Sequence, residues 1–387
     1  MTDEKSEIVG RRKDLPNDVK MNTDKILRVS RFLYSNPELG SEEYKAYDMF
    51  TKNLKGDGIP VEEHFLQMET SFVAKIGAGK PYVAVLAEYD ALPIGHACGH
   101  NLIGSWAYGV TMALKDKLKK GTLFLVGTPA EEGRGKYASS KAVIAPKLKE
   151  MGIEAVFTVH PTGKWEVGGN ALAIGRYSVV FIGKDSHAAA SPQYGKNALD
   201  AAVAFYTTYR MKHTLVRRDK DMVMSAIIKE GGTAPNVIPG RAEILFDIRS
   251  NDGNYAREIL EEVRHIAQGA ALMNGCEYEF KSANPFLDSK KRADQLDQIF
   301  YEAAMRYLGK VESPEVAWSL PARASTDVGN MSQVLPTTHL GIKIGEEDLP
   351  GHSEIFRDCA GTKEAEEALL TAVAIGYEAI QDYLKVH

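Results

Sequence analysis

The chain has 387 residues, and its 47 lysines and arginines stand against 52 aspartates and glutamates, a net charge of −5 with no basic excess to attract nucleic acid. No apolar run approaches the length of a membrane span, and the opening MTDEKSEIVGRRKDLPNDVK lacks the apolar core of a secretory leader. Three scattered cysteines, Cys98, Cys276 and Cys359, make no disulfide framework, so a cytoplasmic protein of two domains is expected, the length exceeding one hydrophobic core.

In chain order, the near-continuous apolar runs YVAVLAEYD (82–90), TLFLVGTP (122–129), AVFTVH (155–160) and HLGIKIG (339–345) suit strands covered on both faces, as in a largely parallel sheet between helices. Leu102, Ile103, Trp106, Val110 and Leu114 mark one helical stripe after the second of two closely spaced histidines, and Ala365, Leu369, Val373 and Ile380 mark another near the end. The middle has a different rhythm. From about residue 176 it reads strand, helix, strand, strand, helix, strand, and in RAEILFDIRS (241–250) Ala242, Ile244, Phe246 and Ile248 alternate with polar residues, giving a sheet with one covered face. The fold class is therefore α/β in two domains: a mostly parallel sheet with helices on both faces, residues 1–176 and 285–387, and an inserted α+β ferredoxin-like domain, residues 177–284. Asp327, in STDVGNMS, is read as a helix cap rather than a substrate contact.

Ligands in open α/β sheets bind beyond the carboxyl ends of the strands. At those ends lie Asp90, then Cys98 and His100 in GHACGHN, then Glu131 and Glu132 in PAEEG, then His160, and finally His352 in GHSEIF. Thiolate, imidazole and carboxylate together suit a borderline divalent cation, zinc or manganese, and five donors are too many for a single catalytic ion with an open position. Two ions sharing an activated water are the better count. Of the adjacent glutamates one can bind metal while the other acts as general base; Glu131 is assigned as base and Glu132 as ligand, an order that spacing alone does not fix. Each residue also has a plainer reading: Cys98 as a small buried side chain or a thiol nucleophile, the Glu-Glu pair as solvated surface, His160 as a core histidine, and His96 as the least committed of its motif.

Taken together, NPELGSEEY, DALPIGHACGHN, GTPAEEG, SHAAASPQYGKNALDA, TAPNVIPGRAEILFDIRS, STDVGNMS and GHSEIF span nearly the whole chain. They resemble the M20 family of metal-dependent peptidases and amidohydrolases, in the branch with peptidase M20 domain-containing protein 2, aminoacylase-1-like proteins and one of the subunits of aminobenzoyl-glutamate hydrolase. The resemblance implies that Cys98, His100, Glu132, His160 and His352 are metal ligands and Glu131 the general base. It implies that Asp90 orients a ligand histidine, that His187 of the inserted domain polarises the scissile carbonyl across a dimer, and that Asn236 and Arg249 hold a substrate carboxylate. Two departures stand out: Glu88 occupies the place of a ligand histidine in the wider family, and Asn101 follows Cys-Gly-His where other branches carry aspartate.

The implied activity is hydrolysis of the amide bond of a dipeptide or N-acyl amino acid with a free C-terminal carboxylate, by two divalent ions per subunit, zinc or manganese. The expected partners are that small-molecule substrate and a second copy of the chain, joined through the inserted domain, with no nucleic acid and no membrane. The competing readings are a dependent subunit of a hetero-oligomeric amidohydrolase, or a non-catalytic binder of amino-acid conjugates, and a cysteine hydrolase built on Cys98, which would leave the carboxylate pair without a task.

Overall fold

The computed structural model of the chain describes residues 13–322 and 324–387; the reading of the first twelve residues, including the lack of a leader, lies outside the described part. The chain forms two compact units. Unit 1 runs up to Asn170 and takes in Lys291–Pro321 and Asn330–His387, while unit 2 is Ala171–Lys290 with Ala322–Gly329. The limits of unit 2 thus lie outward of the 177–284 read from the sequence.

Unit 1 opens with α1 (Asn17–Ser35), α2 (Tyr44–Gly56), β1 (Val61–Glu63), β2 (Phe72–Ala78), β3 (Tyr82–Ala87), α3 (His100–Leu114), β4 (Gly121–Gly127), α4 (Lys141–Glu150), β5 (Ala155–Thr162) and β6 (Glu166–Val167). Unit 2 contributes β7 (Ala173–Ile182), β8 (Ser186–His187), α5 (Ala198–Lys212), β9 (Val223–Glu230), β10 (Val237–Ile238), β11 (Arg241–Ser250), α6 (Gly253–Met273) and β12 (Glu277–Ser282). There follow α7 (Asp294–Leu308), α8 (Pro314–Ser319), α9 (Val328–Val334), β13 (Thr337–Lys343), α10 (Glu354–Cys359) and α11 (Lys363–Val386).

The sheet of unit 1 has the order β1-β2-β4-β3-β5-β13-β6. Its four central strands are parallel, and β2 and β6 close them antiparallel on either side. The apolar runs are continuous because successive side chains enter different cores: Val83, Val85, Leu123, Leu125 and Phe157 face one, Ala84, Leu86, Phe124, Val126 and Val156 the other. Each fully buried aliphatic residue here is worth about 1.5–3 kcal/mol against exposure, so both faces are strongly committed. The helix α3 departs from the expected single stripe. All fifteen of its residues are buried, and at Gly109 the absent Cβ leaves room for Ile26 and Val373, whose nearest atoms would lie 3.0 and 2.9 Å from it.

Unit 2 has the sheet order β12-β7-β11-β9, antiparallel throughout. One face carries Ala242, Ile244, Phe246 and Ile248 into a core with Phe181, Phe205 and Val263, so the alternation read in β11 is the alternation of covered and open faces. On the open face Arg176 donates to both oxygens of Asp247 at 2.6 and 2.8 Å. Before α9 the Thr326 hydroxyl accepts from the Val328 N–H, at 3.2 Å, and Asp327, the residue directly before the helix, is fully buried.

Candidate metal centre

Gly99 makes the centre possible. Its φ of +74° turns the chain between Cys98 and the first residue of α3, His100, and a Cβ there would sit 2.7 Å from Pro161 Cγ. The turn sends Cys98 and His100 to the end of β3, where His160, two residues before the end of β5, brings its Nε2 within 4.0 Å of Cys98 Sγ.

Three groups of donor atoms lie within 4.8 Å of one another: Cys98, His100 and His160; Cys98, Glu132 and His352; and His100, Glu131 and Glu132. All six residues belong to unit 1. Cys98 is common to the first two groups, His100 to the first and third, and Glu132 to the second and third, so the donors form one continuous cluster.

The ring orientations are fixed by hydrogen bonds. His100 Nδ1 donates to the Asp90 carbonyl at 2.9 Å and to Asp90 Oδ1 at 3.0 Å, which turns Nε2 toward the donors. His160 Nδ1 donates to the Pro161 carbonyl at 2.8 Å, with the same effect. Such second partners set tautomer and direction in metal-binding histidines. Asp90 Oδ2 also accepts the Glu132 N–H at 3.0 Å, so one buried carboxylate aligns the histidine and the glutamate turn together.

The centre's own atoms test the fit of a cation. His100 Nε2 and Glu132 Oε1 are buried without a hydrogen-bond partner, a costly state that a divalent ion would relieve. Burial pushes the Cys98 thiol up and the His160 imidazole down. Burial also opposes charge on His100, but Asp90 and Cys98 outweigh it and hold that ring well above the usual imidazole range. Neutral His160 is ready to ligate, whereas Cys98 and His100 would give up protons to an arriving cation. His352 is the outermost donor, with an exposed side chain, a φ of +58° and its Nε2 3.6 Å from Glu132 Oε1.

Sequence reasoning passed over two supports. Glu43, in the NPELGSEEY motif, is fully buried and accepts from the Ala130 N–H and the Thr70 hydroxyl, both at 2.8 Å. Ala130 has a φ of +57°, so Glu43 pins the residue before the glutamate pair in a left-handed conformation that costs about 1–2 kcal/mol. The second support is Lys141, fully buried at the start of α4 and paired with Glu88. His96, by contrast, is a core residue: its Nε2 donates to the Leu33 carbonyl at 3.0 Å, and burial pushes its pKa down to about 3.

In unit 2, His187 Nδ1 accepts from the N–H groups of Ala189 and Ala190 at 3.2 and 3.0 Å, which leaves the proton on Nε2 as a donor. Asn236 is exposed, and its carbonyl accepts from the Ala188 N–H. The Arg249 guanidinium lies 3.5 Å from Asp247, on the open face of the sheet.

The sequence profile of peptidase family M20/M25/M40 matches residues 84–382. The chain belongs to this family. As an M20/M25/M40 peptidase it is a metallohydrolase acting on amide bonds. It is 31% identical over 377 residues to the Xaa-Arg dipeptidase of Mus musculus, an alignment covering 92% of this chain and 85% of that one. To a subunit of the p-aminobenzoyl-glutamate hydrolase of Escherichia coli K12 it is 30% identical over 326 residues, 76% of this chain and 65% of that one. A dinuclear metal-binding M20 peptidase of Bacillus subtilis shares the fold with a TM-score of 0.71 at 24% identity, over 95% of this chain and all of the other.

Proposed function

We propose that the chain cleaves the amide bond of dipeptides or N-acyl amino acids that keep a free C-terminal carboxylate, using two divalent ions held by Cys98, His100, Glu132, His160 and His352. The observation that carries this reading is the meeting of those donors with two unpartnered buried ligand atoms, His100 Nε2 and Glu132 Oε1. Cys98, His100 and His160 would hold one ion, and Cys98, Glu132 and His352 the other. When bound, such ions supply a Lewis acid for the carbonyl and lower the pKa of water.

The chain's own residues would do the rest. Glu131 takes the proton of the attacking water and delivers it to the leaving amine nitrogen; its Oε2 lies 3.8 Å from His100 Nε2. Asp90 keeps His100 and the Glu132 turn aligned through the cycle. For unit 2 the proposal keeps His187 as donor to the carbonyl oxygen, through the Nε2–H that its Nδ1 bonds secure, and Asn236 and Arg249 as holders of the substrate carboxylate.

The name of the mouse relative, aligned over most of both chains, favours a self-sufficient hydrolase over a dependent subunit. A homodimer through unit 2 is supported by β9, an edge strand whose Val223, Ile227 and Ile228 are exposed. The three free cysteines support a reducing, cytoplasmic setting, and no described helix is long and apolar enough to cross a membrane. Between the metals, Cys98 favours zinc on ligand softness.

The test is free-amine release by the purified chain from a panel of dipeptides and N-acyl amino acids, with manganese or zinc added, beside Glu131→Ala. Metal-dependent release lost in the variant is the expected result. Silence across the panel from protein that has bound metal would overturn the self-sufficient hydrolase.

A further inference from the structure

Lys141 breaks two local rules at once. It is fully buried, a place lysine almost never takes unpaired, and it opens a helix, where the macrodipole disfavours a cation. Its Nζ stands 2.9 Å from Glu88 Oε1, and Glu88 is itself only 2% exposed. The other Glu88 oxygen lies 3.6 Å from His100 Nε2, too far for a hydrogen bond, yet against the buried nitrogen that faces the donor cluster. Glu88 follows β3 and Lys141 follows the glutamate turn, so the pair joins the two segments that carry His100 and Glu132.

A buried ion pair is a poor device for stability, because apolar residues of the same volume usually do as well or better. Violations of local rules collect instead where function demands them. Here the pair places a positive and a negative charge behind a site of several acidic donors.

We propose that Lys141 is a positioning residue that holds Glu88 as an outer, non-ligating carboxylate of the metal centre and so sets its affinity for divalent cations. Lys141 engages one oxygen of Glu88 and offsets its charge, which leaves the His100 and Cys98 donors to capture the ion. Without the lysine, Glu88 is a buried acid beside the ligand nitrogen with nothing to hold it back. It would then join the cation as an additional anionic donor, and the cation would bind more tightly.

This inference rests on the proposed metal centre, and its test separates the two. Zinc and manganese binding to chelator-stripped full-length protein is measured by titration calorimetry, with stoichiometry and apo-protein thermal unfolding recorded in parallel. Lys141→Met is expected to tighten binding by about tenfold or more, and Glu88→Gln, which removes the negative charge beside the site and keeps the ammonium, to weaken it by about tenfold. The double variant should return close to the wild-type affinity, a coupling that two independent structural defects would not produce. Lys141→Arg, which keeps the charge, should stay near wild type and serves if the methionine variant does not fold. Dissociation constants within twofold of wild type in Lys141→Met and Glu88→Gln, with only apo stability lowered, would overturn the inference while leaving the metal centre intact. Wild-type protein that binds no ion, or one whose binding survives Cys98→Ser together with His100→Ala, would overturn both.

Discussion

Unit 1 and unit 2 each rest on a sheet, but they expose their chemistry to different risks. In unit 1 the sheet is covered on both faces, and beyond its strand ends the buried Asp90 and His100 and the half-buried Glu132 are tied to one another. In unit 2 the helices cover one face, and His187, at the end of the short strand β8, and Asn236, on the turn before β10, are both exposed. The first arrangement couples the centre to the fold, so damage to one is damage to the other. The second leaves its side chains replaceable at little structural cost.

The sharpest way to break that contrast is Glu131→Gln, expected to lower kcat by about three orders of magnitude with metal content unchanged, as measured by steady-state kinetics beside elemental analysis. A loss of metal equal to the loss of rate would make Glu131 a ligand rather than a base. His187→Ala should lower kcat about 100-fold while leaving both metal content and thermal midpoint at wild-type values. Equal loss of metal and turnover would end the assigned role of His187, and a lowered midpoint would erase the difference between the units.

Stability variants sharpen the comparison further. Folding raises the pKa of Glu43 to about 7, with burial the main cause and Asp90 next. A carboxyl whose folded pKa is raised contributes stability that is full below its unfolded value and is lost as pH climbs through about 7. Glu43→Gln, which cannot ionise, should therefore gain on the wild type between pH 5 and 8, by about 3 kcal/mol at most, in denaturant titrations. A difference independent of pH would show that Glu43 is ionised throughout. Gly99→Ala, which forces both a left-handed backbone and a contact with Pro161, should cost about 2–3 kcal/mol and metal binding with it. The smallest effect is the opposite in sign: Gly269→Ala in α6 meets nothing within 4 Å and should stabilise by about 0.5–1 kcal/mol, leaving turnover untouched.

The same contrast decides what the sequence could disclose. Strands covered on both faces advertise themselves, and YVAVLAEYD and TLFLVGTP contain β3 and nearly all of β4, which stop at Ala87 and Gly127, three and two residues short of the ends of those runs. The alternation in RAEILFDIRS disclosed a one-faced sheet for the same reason. By contrast β1, β2 and β6 went unread, because they are short or antiparallel flanking strands whose pairing depends on distant partners. The stripe read after His100 understated α3: its small residues Gly104, Ser105 and Gly109 look neutral in a periodicity, yet they are what allows the helix to be enclosed on all sides. Cys98, His100, Glu131, Glu132, His160 and His352 were legible as chemistry at strand ends. Glu43 and Lys141 were not, since a buried carboxylate or ammonium is recognisable only once its partner is seen beside it.

The enclosure of α3 also orders the way the protein comes apart. With its residues all buried, α3 should exchange its amides with deuterium only on global unfolding, whereas the turn that presents the exposed His352 should exchange through local opening. A chelator would then loosen the centre from its rim: uptake near residue 352 should rise within the native state, while the amides around His100 remain silent until the whole unit gives way.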